Sequence, residues 1–132
     1  MERKVMSPEE QTKRILEGME KLYGFVPPIM DIISQRPDLF VPLAKYGKAV
    51  MEGRDRHLQK KTTYLCAVSA ASALGGEHCV NVQIQNATAA GATKDEIFEA
   101  IMVGTYMSMT KSQSYALRKY DALFPKDGEE GE

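Results

Sequence analysis

The segment KTTYLCAVSAASALGGEHCVNVQIQNATAAGATK, residues 61–94, decides the fold class of this chain. Its 32 residues between the terminal lysines include a single formally charged side chain, Glu77, and eight of the 32 are alanine. The Gly75-Gly76 pair divides the segment into two helices, predicted over about 59–74 and 77–91. Because small side chains let two helices approach closely, we predict an all-α bundle with a central helical hairpin of small residues.

Helix start and stop signals continue on both sides of this hairpin, and no strand-like alternation accompanies them. Ser7 and Thr93 each stand three residues before a glutamate, which is the pattern of a capping box at a helix start. The Pro27-Pro28 and Arg36-Pro37 steps break the chain between helices. Besides the hairpin, the predicted helices cover 8–23, 28–33, 37–53, 94–108 and 110–124.

Two apolar patterns predict how these helices pack. The helix after Pro37 is expected to turn one face inward, consisting of Leu39, Leu43, Tyr46 and Val50. The helix over 94–108 is apolar on nearly every side, so it is expected to be buried in the fold or against another subunit. Met102, Tyr106 and Met109 fall at the i, i+4 and i+7 spacing of one helix face, which is expected to pack in such a contact or to line an apolar pocket.

Length and composition exclude several classes of protein. The 132 residues suit one domain, placed at 1–124 and followed by a flexible acidic tail at 125–132. A net charge of −1 without a basic stripe argues against nucleic-acid binding. No segment is apolar over the roughly 20 residues that a membrane span needs, and no secretory signal is visible at the N-terminus. With two cysteines, the chain is expected to be cytoplasmic.

The residues best suited to catalysis lie at the turn of the hairpin. If a helix begins near Glu77, then Cys79 lies in its first turn, where free backbone N–H groups and the helix dipole favour a thiolate. His78 adds positive charge or moves a proton, whereas Glu77 opposes the thiolate. The alternative is that Cys79 is a small buried residue. Cys66 lies in the middle of its helix and is predicted to be a core residue.

No cofactor and no metal are predicted. The residue types that bind zinc are present, but their spacing matches no recognisable zinc motif: His57, Cys66, His78 and Cys79. A disulfide between Cys66 and Cys79 requires Cα atoms within about 7 Å, and most residue pairs across a helical hairpin do not meet that distance.

The chain resembles the carboxymuconolactone decarboxylase family, including its alkylhydroperoxidase D branch, over roughly residues 20–120. The segments that carry the resemblance are Phe25–Ile29, Ser34–Pro37, Leu58–Thr62, Cys66–Ala71, Leu74–Cys79, Ala87–Thr93 and Asp95–Ile97. The resemblance implies an all-helical fold that assembles as a homo-oligomer, either a trimer or a hexamer.

The redox branch of that family uses a Cys-x-x-Cys pair with a His and a Glu that pass the proton. Position by position, the resemblance places the second cysteine on Cys79 and the first on Gly76. The His falls on Gln83 and the Glu falls on Tyr64, so three of the four groups are replaced. Gln83 does not titrate near neutral pH, and the ordinary pKa of Tyr64, about 10, makes it a poor base.

Three functions follow from this comparison. The first is a single-cysteine thiol oxidoreductase of peroxidase type, in which Cys79 attacks, Tyr64 and His78 orient or polarise, and an external thiol restores the cysteine. The second is a non-catalytic oligomer that binds a small molecule and keeps the family fold. The third is a decarboxylase of a carboxylated lactone with His78 as proton donor, although the decarboxylase branch also has a His where this chain has Gln83.

Overall fold

The computed structural model describes residues 4–128 and contains six α helices and no strand within that range. The helices are α1 (Pro8–Tyr23), α2 (Pro28–Ile33), α3 (Pro37–Glu52), α4 (Lys60–Leu74), α5 (Glu77–Ala89) and α6 (Lys94–Leu123). The predicted all-α class is therefore confirmed. The domain limits and the acidic tail stay predictions, and residues 129–132 of that tail lie outside the described residues.

Local capping chemistry sets the ends of several helices. At α1 the Ser7 hydroxyl accepts a hydrogen bond from the Glu10 backbone N–H at 3.1 Å, and the Glu10 carboxylate accepts one from the Ser7 N–H at 2.9 Å. Thr93 and Glu96 form the same pair of bonds at α6. Gly75 ends α4 with a φ of 74°, a left-handed conformation that glycine adopts without steric cost. These capping boxes and this stop were predicted correctly.

The C-terminal third of the chain differs from the prediction, because α6 is one continuous helix of 30 residues. The sequence suggested two helices, with Thr110 opening the second. Instead, the Thr110 hydroxyl donates to the Met107 carbonyl oxygen at 3.0 Å within the same helix. A threonine that bonds back to the preceding turn does not cap a new helix, and no proline follows Thr110 until Pro125.

The buried core lies where α4 packs against α5 and α6. Its fully or nearly buried residues are Tyr64, Val68, Ala87, Ala92 and Ile97. At Gly104 of α6 an added Cβ would lie 2.0 Å from the Ser69 carbonyl oxygen of α4. The backbones of α4 and α6 therefore touch at this point, and only glycine leaves room for that contact.

The predicted inward face of α3 is wrong: the four residues Leu39, Leu43, Tyr46 and Val50 are exposed. Phe40 and Val41 are buried instead. Three consecutive apolar residues, 39–41, leave the direction of the face open in the sequence. The packing of α3 against α1, α2 and α4 selects the direction, which periodicity alone did not reveal.

Most of the apolar surface of α6 is exposed in the single chain. Ile97 is buried, but Phe98 is 64% exposed and Tyr106 is 59% exposed. Met102 and Met109 are also exposed, so this face is not part of the core of one chain. Burial against another subunit, the other possibility that the sequence left open, stays a prediction. No helix within residues 4–128 is both long enough and apolar enough to span a membrane.

Candidate functional site

Cys79 occupies the third position of α5, in the first helical turn, as predicted. Gly76 is the N-cap and supplies no side-chain hydrogen bond. The first helical bond runs from the Val80 N–H to the Gly76 carbonyl oxygen, at 2.8 Å. The backbone N–H groups of residues 77–79 consequently have no partner among residues 4–128. Such free donors at a helix start favour a nearby anion, including a thiolate.

The sulfur of Cys79 points back toward this helix start. A Cβ built at Gly76 would lie 3.6 Å from the Cys79 Sγ and 3.2 Å from its Cβ. Disulfide-bonded cysteines have Cβ atoms about 3.5 to 4.5 Å apart. The backbone therefore holds residues 76 and 79 close to the spacing of a two-cysteine pair, although glycine stands at the first position.

The two cysteines of the chain are both free and exposed. For Cys66 this corrects the prediction of a core residue. It lines a shallow groove between α4 and α6 beside Val103 and Met107. Small residues on α4 and the glycine on α6 leave this groove open, which sequence periodicity alone did not indicate.

His78 lies beside an aromatic ring rather than beside a polar group. Its ring centroid is 6.1 Å from that of Phe25, with the two planes inclined at 50°. Phe25 in turn lies 6.5 Å from the Tyr23 ring. Within the described part of the chain, the side chain of His78 contacts the Phe25 ring and forms no hydrogen bond to Cys79. The structure therefore keeps His78 next to the helix start as an exposed neighbour and not as a bonded partner of the thiol.

A pocket of about 670 Å³ lies among the first five helices, α1 to α5. Tyr64 and Gln83 both line it, so the structure brings these two predicted site residues together. Cys79 and His78 are not among its lining residues. Val82, Gln83 and Asn86 form the α5 wall of the pocket, and residues three and four apart on a helix share a face. Cys79 thus precedes that wall by one helical turn.

Tyr64 is buried, with 5% of its surface exposed, and its hydroxyl donates a hydrogen bond to Glu52 Oε1 at 3.1 Å. Burial raises the pKa of Tyr64 above its ordinary value, and the Glu52 hydrogen bond and negative charge raise this pKa further. The phenol therefore stays protonated at neutral pH. It serves as a hydrogen-bonding group and not as a base.

A small amide network continues along the α5 wall. The side-chain amide nitrogen of Asn86 donates to Gln83 Oε1 at 3.3 Å. The same nitrogen lies 3.2 Å from the Tyr23 hydroxyl oxygen, so α1 and α5 are joined at the pocket. These bonds hold the Gln83 side chain in place. Neutral amides can align a bound molecule, but they do not exchange protons near pH 7.

Sequence reasoning missed Glu52, Asn86 and Tyr23. No sequence pattern links Glu52 to Tyr64, because the helix break at Gly53 separates them and Tyr64 lies twelve residues later. In the structure it is the acidic residue of the pocket lining. Within residues 4–128, no three His, Cys, Asp or Glu side chains lie close enough together to hold a metal ion.

Comparison with known proteins supplies the family. Curated proteins and solved structures give no significant match to this chain. The family model described as "Carboxymuconolactone decarboxylase family" matches residues 37–121, which is more than half of the chain and spans α3 to most of α6. The residues that carried the resemblance in the sequence fall largely within this range. The chain therefore belongs to the carboxymuconolactone decarboxylase family.

Proposed function

We propose that this protein is a single-cysteine thiol oxidoreductase with peroxidase-type activity at Cys79. One observation carries the proposal: the exposed Cys79 sulfur is directed toward the uncapped N-terminus of α5. The free N–H groups there stabilise an anionic sulfur without any charged side chain. A thiolate is the nucleophilic form of cysteine, so the backbone does part of what the family's replaced side chains do.

The reaction begins when the Cys79 thiolate attacks one oxygen of a hydroperoxide. A sulfur–oxygen bond forms, the O–O bond breaks, and the departing oxygen takes a proton to leave as an alcohol or water. An external thiol then condenses with the sulfenic acid, which releases water and leaves a mixed disulfide. A second external thiol attacks that disulfide, restoring Cys79 and leaving as the oxidised reductant. The peroxide is reduced and two external thiols are oxidised in each cycle.

An external reductant is required because the chain lacks a resolving cysteine at the usual place. Gly76 occupies that position and has no sulfur. Cys66 lies on α4 in the groove beside α6, and no disulfide joins it to Cys79. The sulfenic acid of Cys79 is therefore expected to persist until a small thiol reaches it.

Tyr64 and Gln83 are proposed to position the peroxide. The resemblance puts Tyr64 where the redox branch has its glutamate, and the Glu52 carboxylate lies 3.1 Å from the Tyr64 hydroxyl. A carboxylate is thus still present at this end of the pocket, supplied by α3 instead of α4. His78 is proposed to add positive charge near the thiol when protonated.

We further propose that the chain folds around the α4–α5 hairpin and acts as a cytoplasmic homo-oligomer, either a trimer or a hexamer. The exposed apolar surface of α6 supports assembly, since patches of this kind commonly cover subunit contacts. Its exposed members include Phe98, Met102, Val103, Tyr106 and Met107. Sedimentation analysis tests this proposal, and a monomer at micromolar concentration would contradict it.

The activity is tested with two matched variants, Cys79→Ser and Cys66→Ser. Both replace a free, exposed, helical cysteine, so they differ mainly in position. Peroxide consumption is measured with dithiothreitol as the external thiol. We expect Cys79→Ser to lower the rate of peroxide consumption by at least about tenfold. Cys66→Ser is expected to leave this rate unchanged. Equal rates for the parent and Cys79→Ser would refute the proposal.

A second candidate function is small-molecule binding without catalysis. The observation that favours it is the pocket itself, whose lining includes Tyr64 and Gln83 but neither Cys79 nor His78. Inactive but folded parent protein in the peroxide assay, together with ligand binding in the pocket, would select this function. The decarboxylase has less support, because Gln83 stands where the decarboxylase branch has a His, and an amide does not transfer protons near pH 7.

A further inference from the structure

We propose that the pocket binds an organic anion with an extended apolar chain, held at its anionic end by Arg14, Lys45 and Lys48. All three cations line the pocket, Arg14 from α1 and the two lysines from α3. This binding does not require Cys79, so it stands or falls separately from the peroxidase proposal.

None of these three cations forms an ion pair with an acidic side chain of residues 4–128. The ion pairs within residues 4–128 are Lys13–Glu17, Arg36–Asp38 and Lys61–Glu96, and none involves a pocket residue. Glu52, the acidic residue of the described lining, accepts the Tyr64 hydroxyl hydrogen bond. Three cations facing one carboxylate favour an anionic ligand over a neutral or cationic one.

The pocket has a charged end near solvent and a buried end at Tyr64. The three cations are exposed, whereas Tyr64 is 5% exposed, so the charges lie toward solvent and the phenol lies inside. Lys45 and Lys48 are three residues apart and share one face of α3. An anionic group therefore meets the cations near solvent while the remainder of the molecule extends inward.

Apolar side chains make up most of the remaining wall. Four of the eight methionines line the pocket, namely Met6, Met19, Met30 and Met51. Methionine is flexible and polarisable, and it adapts to ligands of irregular shape. Ile15, Leu43 and Val82 extend the same surface. An alkyl chain is the ligand chemistry that such a wall accommodates best.

The volume is suited to a small molecule. At about 670 Å³ the pocket lies within the range of roughly 300 to 1,000 Å³ that small-molecule sites occupy. A medium-length alkyl carboxylate combines the anionic end and the apolar chain that the wall requires.

The first test measures binding of octanoate, decanoate and dodecanoate to the full-length Cys79→Ser protein by calorimetry. We expect one molecule per chain and an affinity that rises about fourfold for each added methylene. Decanol serves as the neutral control of equal length and is expected to bind about tenfold more weakly than decanoate. Equal affinity for decanoate and decanol would overturn the proposal, as would no binding of any carboxylate.

The second test compares two triple variants with the same loss of charge. Arg14→Gln/Lys45→Gln/Lys48→Gln removes the pocket cations, and Lys13→Gln/Lys111→Gln/Lys119→Gln removes exposed cations outside the pocket. We expect the first variant to lose about tenfold in decanoate affinity and the second to be unchanged. Decanol binding should be the same in both. Equal loss of decanoate affinity in the two variants would contradict the assignment of these cations.

Methionine methyl NMR locates the ligand. Met19, Met30 and Met51 report on the pocket, while Met102 and Met107 report on the exposed face of α6. Decanoate is expected to shift the signals of the first group and leave those of the second in place. Shifts confined to the α6 methionines would mean that the carboxylate binds the apolar face instead, and the proposal would be wrong.

Discussion

Cys66 and Cys79 carry the same side chain with similar exposure, but their helices place them in different backbone surroundings. Cys66 lies in the middle of α4, where every N–H is used by the helix, next to the tight contact of Ser69 with Gly104. Cys79 lies in the first turn of α5, next to N–H groups that have no partner among residues 4–128. Cys66 therefore lies in a region where two helices pack, whereas Cys79 lies in a region whose backbone can stabilise an anion.

The largest expected effect is a loss of stability where α4 packs against α6. Gly104→Ala puts a Cβ 2.0 Å from the Ser69 carbonyl oxygen, so α4 and α6 must move apart. We expect the free energy of unfolding to fall by about 3 kcal/mol, measured by urea denaturation.

Gly18→Ala is the matched control, since a Cβ at this helical glycine of α1 meets no atom of residues 4–128 within 4 Å beyond the neighbouring backbone of its own helix. It is expected to stabilise by roughly 0.5 to 1 kcal/mol through helix propensity. Similar values for the two variants would show that the helix contact at residue 104 is looser than the structure indicates.

The next effect compares the two thiols directly. Alkylation by iodoacetamide at about pH 6 is followed for each cysteine by peptide mass analysis. We expect Cys79 to react at least about tenfold faster than Cys66, because the free N–H groups at the α5 start favour its thiolate. Unfolding in urea removes the helix and serves as the control, in which the two rates should converge. Faster reaction of Cys66 in the folded protein would contradict the comparison.

A third change sharpens the comparison by adding a second sulfur. Gly76→Cys places its Cβ 3.2 Å from that of Cys79, and a shift of a few tenths of an ångström reaches disulfide spacing. After peroxide treatment without added thiol, we expect a disulfide between residues 76 and 79, seen as the loss of one hydrogen from each thiol. Gly76→Ser is the control of similar size. Accumulation of sulfinic acid on Cys79 in the cysteine variant would show that the two sulfurs do not meet.

The smallest effect concerns the start of α6, away from both cysteines. The Thr93 backbone N–H bond and the Lys61 side chain lower the pKa of Glu96 below its ordinary value. Because a lowered pKa stabilises the folded state above the unfolded-chain value, this stabilisation is lost as pH falls through the folded pKa.

Glu96→Gln removes the pH-dependent stabilisation that the Glu96 carboxylate supplies. We expect a slightly lower melting temperature near pH 7 and a shallower fall in melting temperature between about pH 5 and pH 3. Glu99→Gln, an exposed residue of the same helix, is the control and should follow the parent. A pH profile of Glu96→Gln identical to that of the parent would contradict the assignment.

Much of the helical architecture is readable from the sequence because its signals are local. Ser7 and Thr93 reach donors only three residues away, and Gly24 and Gly75 stop their helices through their own backbone angles. The placement of Cys79 in a first turn follows from the Gly75-Gly76 stop in the same way. The continuity of α6 was missed because Thr110 can either cap a helix or bond back within one, and the sequence does not distinguish the two.

Tertiary structure alone decided the pocket. Glu52 meets Tyr64, and Tyr23 meets Asn86, across helix breaks whose angles no periodic pattern records. The same packing turned Phe40 inward and left Cys66 exposed against expectation. Sequence by itself determined which residues begin and end helices, since those interactions span a single turn. Which side chains share a pocket depends on how separate helices cross, and that geometry exists only in the folded chain.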